Sequence, residues 1–434
     1  MSCTCCSIRA YATSSKRASA TLSEGNTLSD WKTFVSHLEC SVTGEHYAPG
    51  EKHNLSRAGK PLIVRYDLAS IARDVKRSEM ATRPPGLWRY RELLPVRRPD
   101  DVVSLGELAT PLIPLNETSR CVNGGNLVVK DEGRLPTGSF KARGIAVAVS
   151  MARSFGARQI AMPTVGSGGA ALAAYCRRAG IDSYVFLPEE SPAVTVSETA
   201  FYGARVYLVN GALSDCGRLV SQGCTAMGWF DMSTLKEPYR IEGKKTMGLE
   251  LADQLGWTLP DVIFYPTGGG TGFIGMWKAF AELEALGWIG SKRPRMVAVQ
   301  TTGCCPIVRA HELGHKEVET PWSDIRTNVH GVRVAKALGD FLILRVLHES
   351  NGFGSAVSDE EVEATRKSVA EADGTLLSPE GAACVAAYGR ELVRGRVSPC
   401  ESAVIFNTAT GLRTLMPLVD RKLDITQPID FSKL

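Results

Sequence analysis

The apolar residues of this chain gather into short runs, with stretches of helical periodicity between them. From about residue 106 the runs are "NLVVK" (126–130), "QIAMPT" (159–164), "SYVFLP" (183–188), "RVYLV" (205–209), "DVIFYPT" (261–267), "RMVAVQ" (295–300) and "SAVIFNT" (402–408). Runs this short, bounded by turn residues, predict buried strands. Between them lie helical patterns such as "GAALAAYCRRAG", ending at Gly180, and "GFIGMWKAFAELEALG", ending at Gly287. A glycine at that place is a common helix stop, because it takes the left-handed conformation at no steric cost. Alternation of strand and helix predicts an α/β fold with mostly parallel sheets covered by helices on both faces. In such sheets ligands sit at the carboxyl ends of the strands. Residues 31–105 read differently, with polar turns, few strands and a "RPPG" breaker at 83–86. They are expected to form a separate N-terminal segment packed on the α/β body.

Composition narrows the function classes. The 434 residues are 44% hydrophobic and 22% charged, with a net charge of +4 and both signs interspersed. That balance gives no footprint for nucleic acid or an anionic membrane. No apolar run is long enough to span a bilayer, and a cytoplasmic location is expected. Twelve cysteines are scattered through the chain, which suggests reduced core thiols rather than a disulfide framework. The first 30 residues are rich in Ser, Thr, Ala and Cys and carry Arg9, Lys16 and Arg17, with no acid before Glu24. An organellar transit peptide has this composition; the expectation adopted is a disordered or cleavable tail. Cys3, Cys5 and Cys6 have no matching second pair nearby.

Three motifs carry chemistry. "YPTGGGTGFIG" (265–275) runs a strand into Gly268, Gly269, Gly270, Thr271 and Gly272 and then into a helix. Glycines let backbone N–H groups approach an anion, and the helix start adds its dipole. Gly270-x-Gly272-x-x-Gly275 also fits a dinucleotide fingerprint, but that needs an acid near the end of the next strand. No Asp or Glu occurs from Ala285 to His311, so a small phosphate-bearing ligand fits better. "KDEGRLPTGSFKARG" (130–144) follows a strand and opens a helix, with Ser139 placed to cap it and Lys141 in the first turn. A cation is out of place there, because a helix start already carries partial positive charge. Either Lys141 points into water, or its amine is needed as a nucleophile. A reactive lysine together with a separate phosphate cradle suits pyridoxal phosphate. Finally, "HELGH" puts His311 and His315 around Glu312, a zinc-peptidase spacing if one helix carries both imidazoles. The extended form of that motif would have Gly and His where Val318 and Pro321 stand.

The first two motifs, with "LSPEGAA" (377–383) and "FNTATGL" (406–412), are those of the threonine synthases, a fold type II pyridoxal-phosphate family that the chain resembles from about Trp31 to about Leu418. The resemblance implies two open, mostly parallel-sheet domains with the cofactor between them. Residues 106–145 and 245–434 would form the large one and 146–244 the small one, and relatives are often homodimers. It implies that Lys141 forms the Schiff base and moves protons between Cα, Cβ and Cγ of the substrate. Gly268, Gly269, Gly270, Thr271 and Gly272 would cradle the cofactor phosphate. Thr408 would hydrogen-bond the pyridine nitrogen, and Thr137, Ser139 and Arg143 would hold the substrate. The implied reaction turns O-phospho-L-homoserine and water into L-threonine and phosphate.

Three departures accompany the resemblance. Ser167 stands where the family usually has an asparagine against the cofactor's 3′ oxygen, which keeps open a β-eliminating dehydratase or a β/γ-replacing enzyme of a specialised pathway. Ala142 stands where many relatives carry an acid. The stretch 38–68 resembles a zinc ribbon with only Cys40 left, since Thr43, Leu55 and Ala58 occupy the other three positions. One thiolate cannot hold structural zinc, so no metal is expected, and His37, His46 and His53 are expected to be ordinary polar residues.

Overall fold

The computed structural model describes residues 31–414 and, beyond them, 416, 423 and 426; the expected tail at 1–30 lies outside these. The chain opens on a sheet that the sequence did not announce. Strand β1 (Val35–Cys40) pairs antiparallel with β2 (His46–Tyr47) and with β3 (Leu62–Tyr66), in the order β2-β1-β3. β1 alternates, Leu38 and Cys40 being buried while His37 and Glu39 face outward, whereas β3 is buried except at Arg65. Helix α1 (Leu68–Asp74) follows, capped by the Asp67 carboxylate, which accepts the Ser70 N–H.

The α/β body begins with β4 (Leu112–Pro114), α2 (Asn116–Cys121), β5 (Leu127–Asp131) and α3 (Lys141–Ser154). It continues through β6 (Gln159–Pro163), α4 (Ser167–Ala179), β7 (Asp182–Pro188), α5 (Ala193–Phe201), β8 (Arg205–Val209), α6 (Leu213–Met227) and β9 (Phe230–Asp231). These four strands form a parallel sheet in the order β8-β7-β6-β9. Then come α7 (Tyr239–Gln254), β10 (Val262–Pro266), α8 (Thr271–Ala285), β11 (Arg295–Thr301) and α9 (Pro306–Glu312). The last elements are α10 (Asp340–Glu349), β12 (Phe353–Val357), α11 (Asp359–Asp373), α12 (Pro379–Val393) and β13 (Ala403–Asn407). The second sheet runs β12-β11-β10-β13-β5-β4, parallel except for the edge strand β4.

Every predicted strand run of the body is a strand, but β8, expected to be buried, lies largely exposed at the edge of its sheet; both glycine stops hold, Gly180 and Gly287 having φ of 70° and 67°. The large sheet is buried on both faces. Val262 and Phe264 of β10 enter one core, whereas Ile263 and Tyr265 enter the other. A parallel strand covered twice needs a continuous apolar run. The expected domain boundaries at 145 and 244 fall inside α3 and α7. These two helices cross so closely that a Cβ on Gly243 would come within 2.0 Å of the Arg143 carbonyl oxygen.

Candidate active site

Three neighbouring strands set the site. β10, β13 and β5 are adjacent and parallel, so the loops after them emerge at one sheet edge. The loop after β10 is the glycine run, the loop after β13 carries Thr408, and the loop after β5 leads into Lys141. Backbone bonds tie the last two together: Phe140 N donates to the Thr408 carbonyl at 3.0 Å, and Thr410 N donates to that of Gly138 at 2.8 Å. Asn407, at the end of β13, donates to Asp131 at the end of β5 (2.8 Å) and accepts from Ser378 N at 3.0 Å. The "LSPEG" stretch is thereby docked against the same edge.

In the glycine run, Gly270 has a φ of 73°, and a Cβ there would fall 2.3 Å from Ile343. A Cβ on Gly268 would fall 2.4 Å from the Gly331 carbonyl oxygen. No side chain fits at either position. The bare backbone therefore leads directly into the start of the 15-residue helix α8, an arrangement that receives phosphate.

Lys141 is the first residue of α3. Its amine lies 4.0 Å from the centroid of the Phe140 ring. Burial, then the charge of Arg240, pushes its pKa down to about 7 against the pull of Glu380. A neutral amine is nucleophilic and suits a helix start better than an ammonium would. The alternative, a lysine solvated in water, does not match this environment.

The loop before Lys141 is strained where it matters. Thr137 has a φ of 57° and is not glycine, a conformation that surrounding structure must enforce. The buried hydroxyls of Thr137 and Ser139 have no hydrogen-bond partner. Ser139 does not cap α3 through its side chain, contrary to expectation. Its carbonyl accepts the Ala142 N–H at 3.2 Å, and the residue at the N-cap position is Phe140, which makes no side-chain cap. Two orphaned hydroxyls beside an amine of lowered pKa and a bare-backbone loop fit a phosphate-bearing aldehyde and its substrate.

Arg143 is corrected. Its guanidinium is fully buried and donates to Glu132 (2.6 and 2.9 Å), Glu250 (2.9 and 3.1 Å), Thr246 and Thr110 (both 3.2 Å). Lys130 joins the same Glu250. Two cations and two carboxylates close a neutral network between α3, β5 and α7, leaving no donor for a substrate phosphate.

Sequence reasoning passed over Arg413. Its Nη2 contacts both oxygens of Glu198 at 2.6 Å and the Thr137 carbonyl at 2.6 Å. Its Nη1 donates to the Ser167 hydroxyl at 3.2 Å. Ser167 opens α4, at the carboxyl end of β6 in the small sheet. One guanidinium thus links Ser167, Glu198 and the lysine loop. No spacing rule pointed to it, because it stands past the last motif.

The histidine pair is also corrected. α9 ends at Glu312, and Gly314, with a φ of 71°, turns the chain away before His315. His315 lies beside Glu319, so no single helix face carries both imidazoles. Among the described residues, neither belongs to a three-ligand cluster.

Comparison with known proteins gives the family. Residues 103–409 match the family model for pyridoxal-phosphate-dependent enzymes, and the chain belongs to that family. Its cofactor is pyridoxal phosphate. The chain is 32% identical to a threonine synthase of Methanocaldococcus jannaschii, over 86% of this chain and 92% of that one. It is 33% identical to a threonine synthase of Methanosarcina acetivorans, over 88% and 94%. The solved structure of processed threonine deaminase isoform 2 from Solanum lycopersicum shares the fold, with a TM-score of 0.61 at 20% identity over 81% of this chain and 88% of that one. Among the described residues no helix is long and apolar enough to cross a membrane.

Proposed function

We propose that this enzyme converts O-phospho-L-homoserine and water into L-threonine and phosphate. The observation that carries this reading is similarity to named threonine synthases along nearly their whole length, joined to a lysine of lowered pKa at the carboxyl edge of the sheet. Pyridoxal phosphate, when bound, supplies the electron sink for carbanions next to its carbon–nitrogen bond. The backbone N–H groups from Gly268 to Gly272 would hold the cofactor phosphate at the start of α8. Thr408 would offer a hydroxyl to the cofactor's pyridine nitrogen, and Ser167 would offer one to its 3′ oxygen. Lys141 takes the proton from Cα and moves protons at Cβ and Cγ while phosphate leaves from Cγ. Thr137 and Ser139 contribute the unpartnered hydroxyls to the substrate.

Arg413 takes the place first considered for Arg143. A planar guanidinium already gripping a carboxylate is suited to exchange it for a substrate carboxylate or phosphate. The substrate is a small phosphorylated amino acid, and the working form is a homodimer by analogy with relatives.

A second reading keeps the scaffold and changes the outcome. Ser167 is engaged by Arg413, and a hydroxyl reaches less far than an amide. An enzyme of this second kind would still expel phosphate from Cγ, but would release the eliminated product to hydrolysis as ammonia and a 2-oxo acid before water added at Cβ. Product analysis on O-phospho-L-homoserine separates the two: phosphate and threonine in equal amount support the first reading, and phosphate with 2-oxobutanoate supports the second. No phosphate from cofactor-loaded enzyme rejects this substrate.

A further inference from the structure

His37, Glu39 and His46 share one face of the β1–β2 hairpin, and one ligating atom from each lies within 4.8 Å of the others. Strand geometry dictates this. His37 and Glu39 are two residues apart on β1, and Glu39 pairs directly with His46. Cys40 and Leu38 point to the opposite, buried face. There the Cys40 thiol donates to the Ser56 hydroxyl at 3.2 Å. The cluster is therefore separate from the position where a ribbon cysteine would stand.

The His37 ring is prepared for a cation. The Ser36 hydroxyl donates to the Arg65 carbonyl at 3.2 Å and lies 2.9 Å from His37 Nδ1. Its one proton is spent on the carbonyl, so it accepts from Nδ1–H, and Nε2 keeps its lone pair. Nε2 is buried without a hydrogen-bond partner. It faces Glu39 Oε2 at 3.7 Å, acceptor to acceptor. Two ligand atoms on a tetrahedral zinc, each about 2.0–2.1 Å from the metal, stand roughly 3.3 Å apart, so a small adjustment closes this gap around an ion. Arg65 Nη2 donates to Glu39 Oε1 at 2.7 Å. This fixes the carboxylate and leaves Oε2 turned to His37, as outer partners do in metal sites. The His46 ring lies against that of His37, centroids 3.8 Å apart.

We propose that this face binds a divalent cation, zinc foremost, through His37 Nε2, Glu39 Oε2 and a ring nitrogen of His46, with water completing the shell. Two imidazoles and one carboxylate favour zinc over calcium or magnesium, which prefer all-oxygen shells. The Arg65 charge opposes the ion and keeps the affinity below that of a closed cysteine site. The ion ties the two-residue strand β2 to β1. This proposal stands independently of the reaction assigned above.

The test titrates zinc chloride into chelator-treated, cofactor-loaded full-length protein by calorimetry, and records cobalt spectra of the same samples. The expected result is one equivalent per chain, at least about tenfold weaker in His46→Ala and in Glu39→Gln, with a cobalt spectrum lacking thiolate charge transfer. Absence of binding to the native chain overturns the proposal. So does unchanged affinity in the variants, or a thiolate band, which would place the ion on cysteines. His46 is exposed, and melting curves in chelator confirm that both variants fold; should His46→Ala not fold, Glu39→Gln decides.

Discussion

Lys141 and Lys244 bring their amines to one aromatic ring, that of Phe140, at 4.0 and 3.8 Å from its centroid. For Lys141, burial and then Arg240 set the pKa at about 7. The unfolded value is about 10.4. Between these values the unfolded chain binds the extra proton, so this group's contribution to stability rises with pH across that window and is flat below about 7. Cofactor-stripped protein should therefore recapture pyridoxal phosphate at a rate that rises with pH to a midpoint near 7. Absorbance-monitored reconstitution measures it, and a midpoint near 10 contradicts the assignment.

Lys244 is fully buried, and its amine has no hydrogen-bond partner. Burial first, then Lys141 and Arg240, lowers its pKa well below the usual range. Lys244→Met keeps the stem that crosses Gly144 and removes the stranded amine. Stability should rise by about 1–3 kcal/mol, read as a higher melting temperature at neutral pH.

Arg143→Met should do the reverse. It leaves Glu132 and Glu250 facing each other without their main cation, a loss of about 3–5 kcal/mol. Burial raises the Glu250 pKa, but Arg143 and Lys130 overcome it and hold the group at about 2. The stability this supplies is present above the unfolded carboxylate range and is lost as pH falls toward 2. Acid titration of the melting temperature should show a shallower loss in the variant, and the folded fraction should keep its KM.

Arg413→Lys keeps the charge and loses the planar fork that spans Glu198, the Thr137 carbonyl and Ser167. KM for the phosphorylated substrate should rise about tenfold, roughly 1.4 kcal/mol, while the visible spectrum of bound cofactor stays unchanged. Steady-state kinetics with spectra of the same samples checks both. An unchanged KM would remove Arg413 from the substrate.

Most of the body's strands were legible because both of their faces are buried, which leaves unbroken apolar runs; β8 was legible from its apolar run although it lies largely exposed at the sheet edge. β12 escaped because "FGSAV" is built of small residues, β1 because one face is polar and β2 because it has two residues; β3, "LIVRY", is an apolar run like those of the body and was passed over. Lys141 and the glycine run were readable as local patterns. Arg143 misled for the opposite reason. A cation two residues past a reactive lysine looks like an anion grip, yet one of its neutralising acids, Glu250, stands 107 residues away. Arg413 meets Glu198 across 215 residues, a pairing visible only once the two sheets are assembled.

The central claim is that phosphate leaves by carbon–oxygen cleavage and that solvent oxygen becomes the new hydroxyl. Turnover of O-phospho-L-homoserine in oxygen-18 water, with both products examined by mass spectrometry, tests it most directly. The account predicts label in the β-hydroxyl of threonine and none in the released phosphate. Label in the phosphate, with homoserine as the co-product, would mean phosphorus–oxygen hydrolysis and would contradict it.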